Sequence, residues 1–127
     1  KKYSKNLSPQ TYKKTDLKKW YNLVENIKHP EGKIKIGIVG KYFGTGDFIL
    51  SDSYISVIEA VKHAAYKNKV KPQIDWINSE QFEKEPEKLE DLKQYDGVII
   101  PGGFGSRGVE GKIKAIQFLR EKPMLYP

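Results

Sequence analysis

The sequence predicts an α/β fold built on an open, doubly wound, mostly parallel sheet. Three observations predict it. Apolar runs rich in β-branched residues, at 34–40, 73–78 and 96–101, alternate with segments of helical pattern. The connections are short, which favours parallel strands joined by right-handed crossovers. Polar, glycine-bearing loops follow the first and third runs, at 41–51 and 101–109. In such sheets the working loops lie beyond the carboxyl ends of the strands.

Each element has its own signal. Residues 1–14 carry no apolar periodicity and read as an extended arm. Thr15 or Asp16 caps a short helix with Leu17, Trp20, Tyr21 and Val24 or Ile27 at helical spacing, and Pro30-Glu31-Gly32 stops it. Trp20 reads as a packing anchor. Ile34–Gly40 is a buried strand. Tyr54, Ile58, Val61 and Ala65 then form the stripe of an amphipathic helix, capped by Ser51 or Asp52 and ended near Asn68. Gln73–Asn78 is a second strand, and 80–94 is acidic and helical in composition, with Leu89 and Leu92 on one side. Asp96–Pro101 is a third strand, apolar enough to be covered on both faces. A last helix at 110–121 is expected to bury Ile113, Ile116 and Leu119 or Phe118. Met124-Leu125-Tyr126 opens a fourth strand, so the sheet is expected to be truncated just after that strand begins.

The chain of 127 residues suits one compact domain. A basic arm with a short helix occupies 1–33, and an incomplete α/β domain occupies 34–127. Hydrophobic content of 38% and charged content of 31% fit a globular protein with a highly charged surface. The net charge of +7 resides mostly in the arm, where nine Lys face three acids; the remainder is nearly neutral, with fourteen Lys plus Arg against thirteen acids. That distribution makes nucleic acid an unlikely partner and a lysine-rich linker the plainer reading. No apolar run approaches a membrane span, and no export signal is visible, so a cytoplasmic location is expected. With no cysteine, a disulfide, a cysteine zinc site and a cysteine nucleophile are excluded from these residues.

The most informative segment is Pro101-Gly102-Gly103-Phe104-Gly105-Ser106-Arg107-Gly108. Four glycines between a strand and a helix cost chain entropy, and are expected where the backbone takes positive φ or lies against a ligand. Such a loop can turn successive N–H groups outward toward negative charge. A tight turn with no ligand is the plainer alternative. Gly103–Gly108 also fits the dinucleotide pattern G-x-G-x-x-G. However, the pattern follows the third strand rather than the first, and it leaves Arg107 and Pro101-Gly102 unexplained. A Walker phosphate loop fails, since Gly40-Lys41 precedes Tyr42 and Gly111-Lys112 precedes Ile113.

Three blocks carry a resemblance: Gly37-Ile38-Val39-Gly40-Lys41-Tyr42, Asp52-Ser53-Tyr54-Ile55-Ser56-Val57-Ile58-Glu59-Ala60, and Pro101-Gly102-Gly103-Phe104-Gly105-x-Arg107-Gly108-x-Glu110-Gly111-Lys112. In their order, in the spacing of the later blocks and in the intervening Ile74-Asp75-Trp76 strand they resemble the glutamine amidotransferase domain of CTP synthases, a flavodoxin-like class I fold. The match covers about 34–123, and the arm resembles that family's interdomain linker. The resemblance implies a ligase of pyrimidine biosynthesis in two parts. One hydrolyses L-glutamine to ammonia through a cysteine thiolate. The other, a synthetase domain absent from this chain, uses ATP and Mg²⁺ to aminate UTP. Carried over by position, the backbone N–H groups of Gly102 and Gly103 belong to the oxyanion hole. Gly103, Phe104 and Gly105 contact glutamine, and Arg107 and Gly108 lie in a lid coupled to the activator GTP. The family resemblance further implies a homo-oligomer, with no cofactor or metal in this portion.

Departures from the family pattern bear on activity. Where the family's next strand runs into Gly-Ile-Cys, this chain reads Pro123-Met124-Leu125-Tyr126-Pro127. Without the thiolate the chain is expected to be inactive alone, whether as a fragment or as a non-catalytic binding or assembly copy. A nucleotide-binding α/β domain is the weaker rival. Phe43–Leu50 reads as an insertion of unassigned role. His29 and His63 read as structural or surface residues, and Glu83/Glu85 and Glu90/Asp91 as solvated helix face.

Overall fold

The computed structural model describes residues 16–41, 54–103 and 105–121. The arm at 1–15, the caps at Thr15, Ser51 and Asp52, the loop 42–51 and the expected fourth strand lie outside them.

Helix α1 spans Lys18–Lys28. Asp16 meets its start, the carboxylate accepting the Lys18 N–H at 3.0 Å. Trp20 is not the packing anchor its size suggests. It is 66% exposed, and Tyr21, Val24 and Ile27 are exposed with it, because the described elements leave that stripe uncovered.

Strand β1, Gly32–Gly40, is central in a parallel sheet of order β2-β1-β3, where β2 is Val70–Asn78 and β3 is Gly97–Ile99. β1 pairs with β2 from Gly32↔Val70 to Gly40↔Asn78, and with β3 from Ile36↔Gly97 to Ile38↔Ile99. The burial of β1 follows from that position: Ile38 and Val39 are inaccessible to solvent. β2 starts three residues earlier than its β-branched run and includes Pro72, tolerable because β2 is an edge of the described sheet. β3 is an edge too, so Val98, Ile99 and Ile100 are only half-buried rather than covered on both faces.

Helix α2, Ile55–Lys67, packs on one face of the sheet through the predicted stripe: Tyr54, Ile58 and Ala65 are buried. Asn68 closes it, its side-chain amide donating to the Ala64 carbonyl at 2.8 Å. Beside α2 an apolar groove of about 350 Å³ runs between Ile34, Ile36, Val61, Ala64 and Ile99.

On the opposite face, Val39 and Ile77 meet Phe82, Leu92 and Ala115 to form the core cluster. The acidic segment that supplies Phe82 and Leu92 is not one helix. A four-residue helix α3, Gln81–Lys84, gives way at Glu85 to a 3₁₀ segment, Pro86–Gln94. Pro86 forces that break, since the residue before proline avoids the α region.

Helix α4, Val109–Glu121, is rotated relative to the sequence expectation. Ile113 and Ile116 are 49% and 48% exposed, whereas Gly111, Lys112 and Ala115 face the protein. The cause is close backbone packing. A Cβ on Gly111 would stand 1.8 Å from the Ser79 carbonyl oxygen, so only glycine lets α4 lie on that turn.

Candidate functional site

Parallel pairing brings three chain segments to one rim of the sheet: Gly40-Lys41 after β1, Asn78-Ser79-Glu80 after β2, and Pro101–Gly108 after β3. The Gly40 carbonyl accepts the Ser79 N–H at 2.9 Å, tying the first two together. The glycine loop lies over both and leads into α4.

The far half of the loop is set by its own geometry. Gly105 and Gly108 take φ of +79° and +70°, the left-handed region that glycine enters without penalty. A Cβ on Gly108 would also come within 2.4 Å of Ser79 Oγ. Ser79 Oγ is itself buried, with no hydrogen-bond partner among the described residues. Arg107 pairs through its guanidinium with the Glu80 carboxylate, Nη2 donating to Oε2 at 3.2 Å.

The near half behaves differently. Gly102 and Gly103 are exposed, and among the described residues no group accepts a hydrogen bond from either amide. Nothing stands within 4 Å of a Cβ placed on Gly102; on Gly103 the nearest atoms, from the Lys41 stem, are at 3.6 Å.

Two buried lysines form the floor. Lys41 is 3% and Lys112 is 8% exposed. Lys112 Nζ donates to the Pro101 carbonyl at 2.6 Å, and Lys41 Nζ donates to the Gly105 carbonyl. The Lys41 N–H in turn donates to the Tyr54 hydroxyl at 3.4 Å. Loss of hydration and the neighbouring Lys41 charge together hold the Lys112 pKa below its ordinary value.

The rim therefore gathers Gly102, Gly103, Gly105, Arg107 and Gly108 from the sequence-predicted set, while Phe104 lies outside the described residues. Lys41, Lys112, Ser79 and Glu80 were not singled out by residue-level reasoning. A signal for Lys112 existed: it stands three residues before Ala115, on the helix face that turns inward. Glu83, read as solvated, has a structural task, since its carboxylate accepts the Gly111 N–H at 3.1 Å. His29 and His63 are exposed. Among the described residues no cluster of three or more His, Cys, Asp or Glu could hold a metal ion, and no helix is long and apolar enough to cross a membrane.

An open parallel sheet whose third strand runs into an exposed, glycine-rich loop at its carboxyl rim defines the class: an α/β protein with main-chain donors available to an anionic or polarised ligand. The sequence profile of the class-I glutamine amidotransferases matches residues 49–125, and the chain belongs to that family. Within it, the chain is similar to CTP synthases. It is 50% identical over 112 residues to the CTP synthase of Carboxydothermus hydrogenoformans and 48% identical over 111 residues to that of Nitrobacter hamburgensis. Each alignment covers 87% of this chain, which spans only 20% and 19% of the length of those relatives. Among solved structures, the glutaminase domain of Trypanosoma brucei CTPS with bound acivicin shares the fold at a TM-score of 0.62 and 34% identity, over 74% of this chain and 35% of that one.

Proposed function

We propose that this chain is part of the glutaminase domain of a CTP synthase, releasing ammonia from L-glutamine for the ATP-dependent amination of UTP. The observation that carries this reading is that Gly102 and Gly103 are not required by the packing around them. A methyl group at either would meet nothing closer than 3.6 Å among the described atoms. A glycine that its own fold does not demand is explained by something that must come close to the backbone.

In this reading a cysteine thiolate, supplied from outside these 127 cysteine-free residues, adds to the side-chain amide carbon of glutamine. The carbonyl oxygen becomes an oxyanion, and the Gly102 and Gly103 N–H groups donate to it. Collapse of that intermediate breaks the C–N bond and releases ammonia, and water then hydrolyses the thioester. Gly103, Phe104 and Gly105 flank the glutamine side chain, and Arg107 with Gly108 belongs to a lid responsive to GTP. The ammonia passes to the synthetase domain, where ATP with Mg²⁺ activates UTP.

The test exchanges residues 16–121 for the matching segment of the full-length Carboxydothermus enzyme. CTP formation is then measured with glutamine and, separately, with ammonia. Both activities are expected. Ammonia-dependent synthesis with no glutamine-dependent synthesis would overturn the reading.

A further inference from the structure

We propose that Lys112 is a positioning residue that aims the Gly102 N–H outward by holding the carbonyl on the other side of the same peptide bond. The inference rests on the functional reading above and adds a residue to it.

In a trans peptide the carbonyl of one residue and the N–H of the next lie in one plane and point in opposite directions. No cis peptide occurs among the described residues. The Pro101 carbonyl is drawn to Lys112 Nζ at 2.6 Å, on the side of α4. The N–H of that same plane, belonging to Gly102, must therefore face away from α4. Gly102 is exposed, so that direction is open. With no side chain at Gly102 or Gly103, little else restrains the plane, since glycine backbone rotates more freely than any other.

The anchor is suited to the task. Lys112 sits in the first turn of α4, and its own N–H donates to the Gly108 carbonyl at 3.3 Å. The helix is held against the Ser79 turn at Gly111, where a Cβ would overlap the Ser79 carbonyl, and by Glu83 on the Gly111 N–H. An ammonium-to-carbonyl bond made out of water is stronger than its neutral counterpart and well directed. Lys41 does the same at the other end of the loop, taking the Gly105 carbonyl. The Lys41 stem and Lys112 Nζ lie 3.6 and 3.7 Å from the position of a Cβ on Gly103. Two cations beneath the loop also favour an anion above it, and a preorganised site needs both the aim and the field.

Two readouts test the proposal. In the 127-residue chain, residual dipolar couplings report the Gly102 N–H direction, and a soluble paramagnetic chelate reports whether that amide faces solvent. The wild-type chain should show strong relaxation of the Gly102 amide. Lys112→Met should change the Gly102 coupling while α4 couplings persist. In the exchanged full-length enzyme, Lys112→Met should lower glutaminase kcat by roughly 10²–10³-fold, the cost of one lost oxyanion donor. KM and ammonia-dependent CTP synthesis should stay unchanged, and Lys112→Arg should recover much of the loss. Lys112→Leu, which likewise carries no donor, replaces Met if Met prevents folding. A protected Gly102 amide in the wild-type chain, an unchanged coupling in the variant, or a rise in KM at constant kcat would overturn the positioning role, and the first would also remove Gly102 from the oxyanion hole; glutamine-dependent CTP synthesis by the unsubstituted exchange enzyme would still uphold the glutaminase reading. Absence of glutamine-dependent activity in the unsubstituted exchange enzyme would overturn the functional reading while the peptide orientation still stood.

Discussion

The glycines that follow β3 fall into two groups, and the difference between them separates folding from function. Gly105, Gly108 and Gly111 are glycine for reasons internal to the chain. Two take left-handed φ, and Gly108 and Gly111 press against Ser79 so closely that a Cβ would overlap it. Gly102 and Gly103 have neither reason. They adopt no left-handed φ and meet no crowding. One composition thus hides two demands. The first is satisfied by the polypeptide; the second, under the proposed function, is set by glutamine.

Alanine substitution should break the groups apart. Gly111→Ala is expected to be the most damaging, since backbone must move to admit the methyl group; a loss of about 3 kcal/mol is the upper range for overpacking. Gly108→Ala should follow at about 1–2 kcal/mol, the cost of a side chain in the left-handed region. Urea denaturation of the chain measures both, and a Gly111→Ala protein as stable as the wild type would erase the distinction from the structural side.

Gly102→Ala and Gly103→Ala should change stability by less than about 0.5 kcal/mol, as open surface positions do. In the exchanged full-length enzyme, however, Gly103→Ala should reduce glutamine-dependent turnover by roughly 10²-fold, as small misplacements of a reacting centre do. Equal activity in the alanine variant would sharpen the comparison against function, leaving Gly103 as surface alone.

The smallest expected effect concerns pH. The folded chain holds the Lys112 proton less tightly than the unfolded chain, because burial and Lys41 both oppose the charge. The fold carries that penalty in full below the lowered pKa, and it is relieved as pH rises from there toward the ordinary value of 10.5. Wild-type stability should therefore gain on Lys112→Met over that window. Parallel melts of the two proteins from neutral pH upward measure the difference, and a gap that does not change would remove the buried cation from the account.

Much of this was legible in the sequence. The runs at 34–40 and 73–78 became the paired strands β1 and β2, and the stripe from Tyr54 to Ala65 became the buried side of α2. These signals are local, because strand and helix periodicity follow from each residue's nearest neighbours. The break at Pro86 was also present in the sequence, but the acidic composition around it suggested a continuous helix. The facing of α4 was not legible. Ile113 and Ile116 have the better hydrophobic credentials, yet the contact that sets the rotation lies between Gly111 and Ser79, 32 positions apart by their numbers. Trp20 misled for the opposite reason, since size predicts burial only where a surface exists to bury against.

By itself, the sequence determined the α/β order, the places where the backbone carries no side chain, and the absence of a thiol nucleophile from these residues. Tertiary structure alone decided which glycines the fold consumes and which it leaves open, and it turned two lysines into the floor of a loop. The physical reason is reach. Lys41 meets Gly105 and Lys112 meets Pro101 only because parallel pairing delivers the strand ends to one rim, and no periodicity within a single segment encodes that meeting.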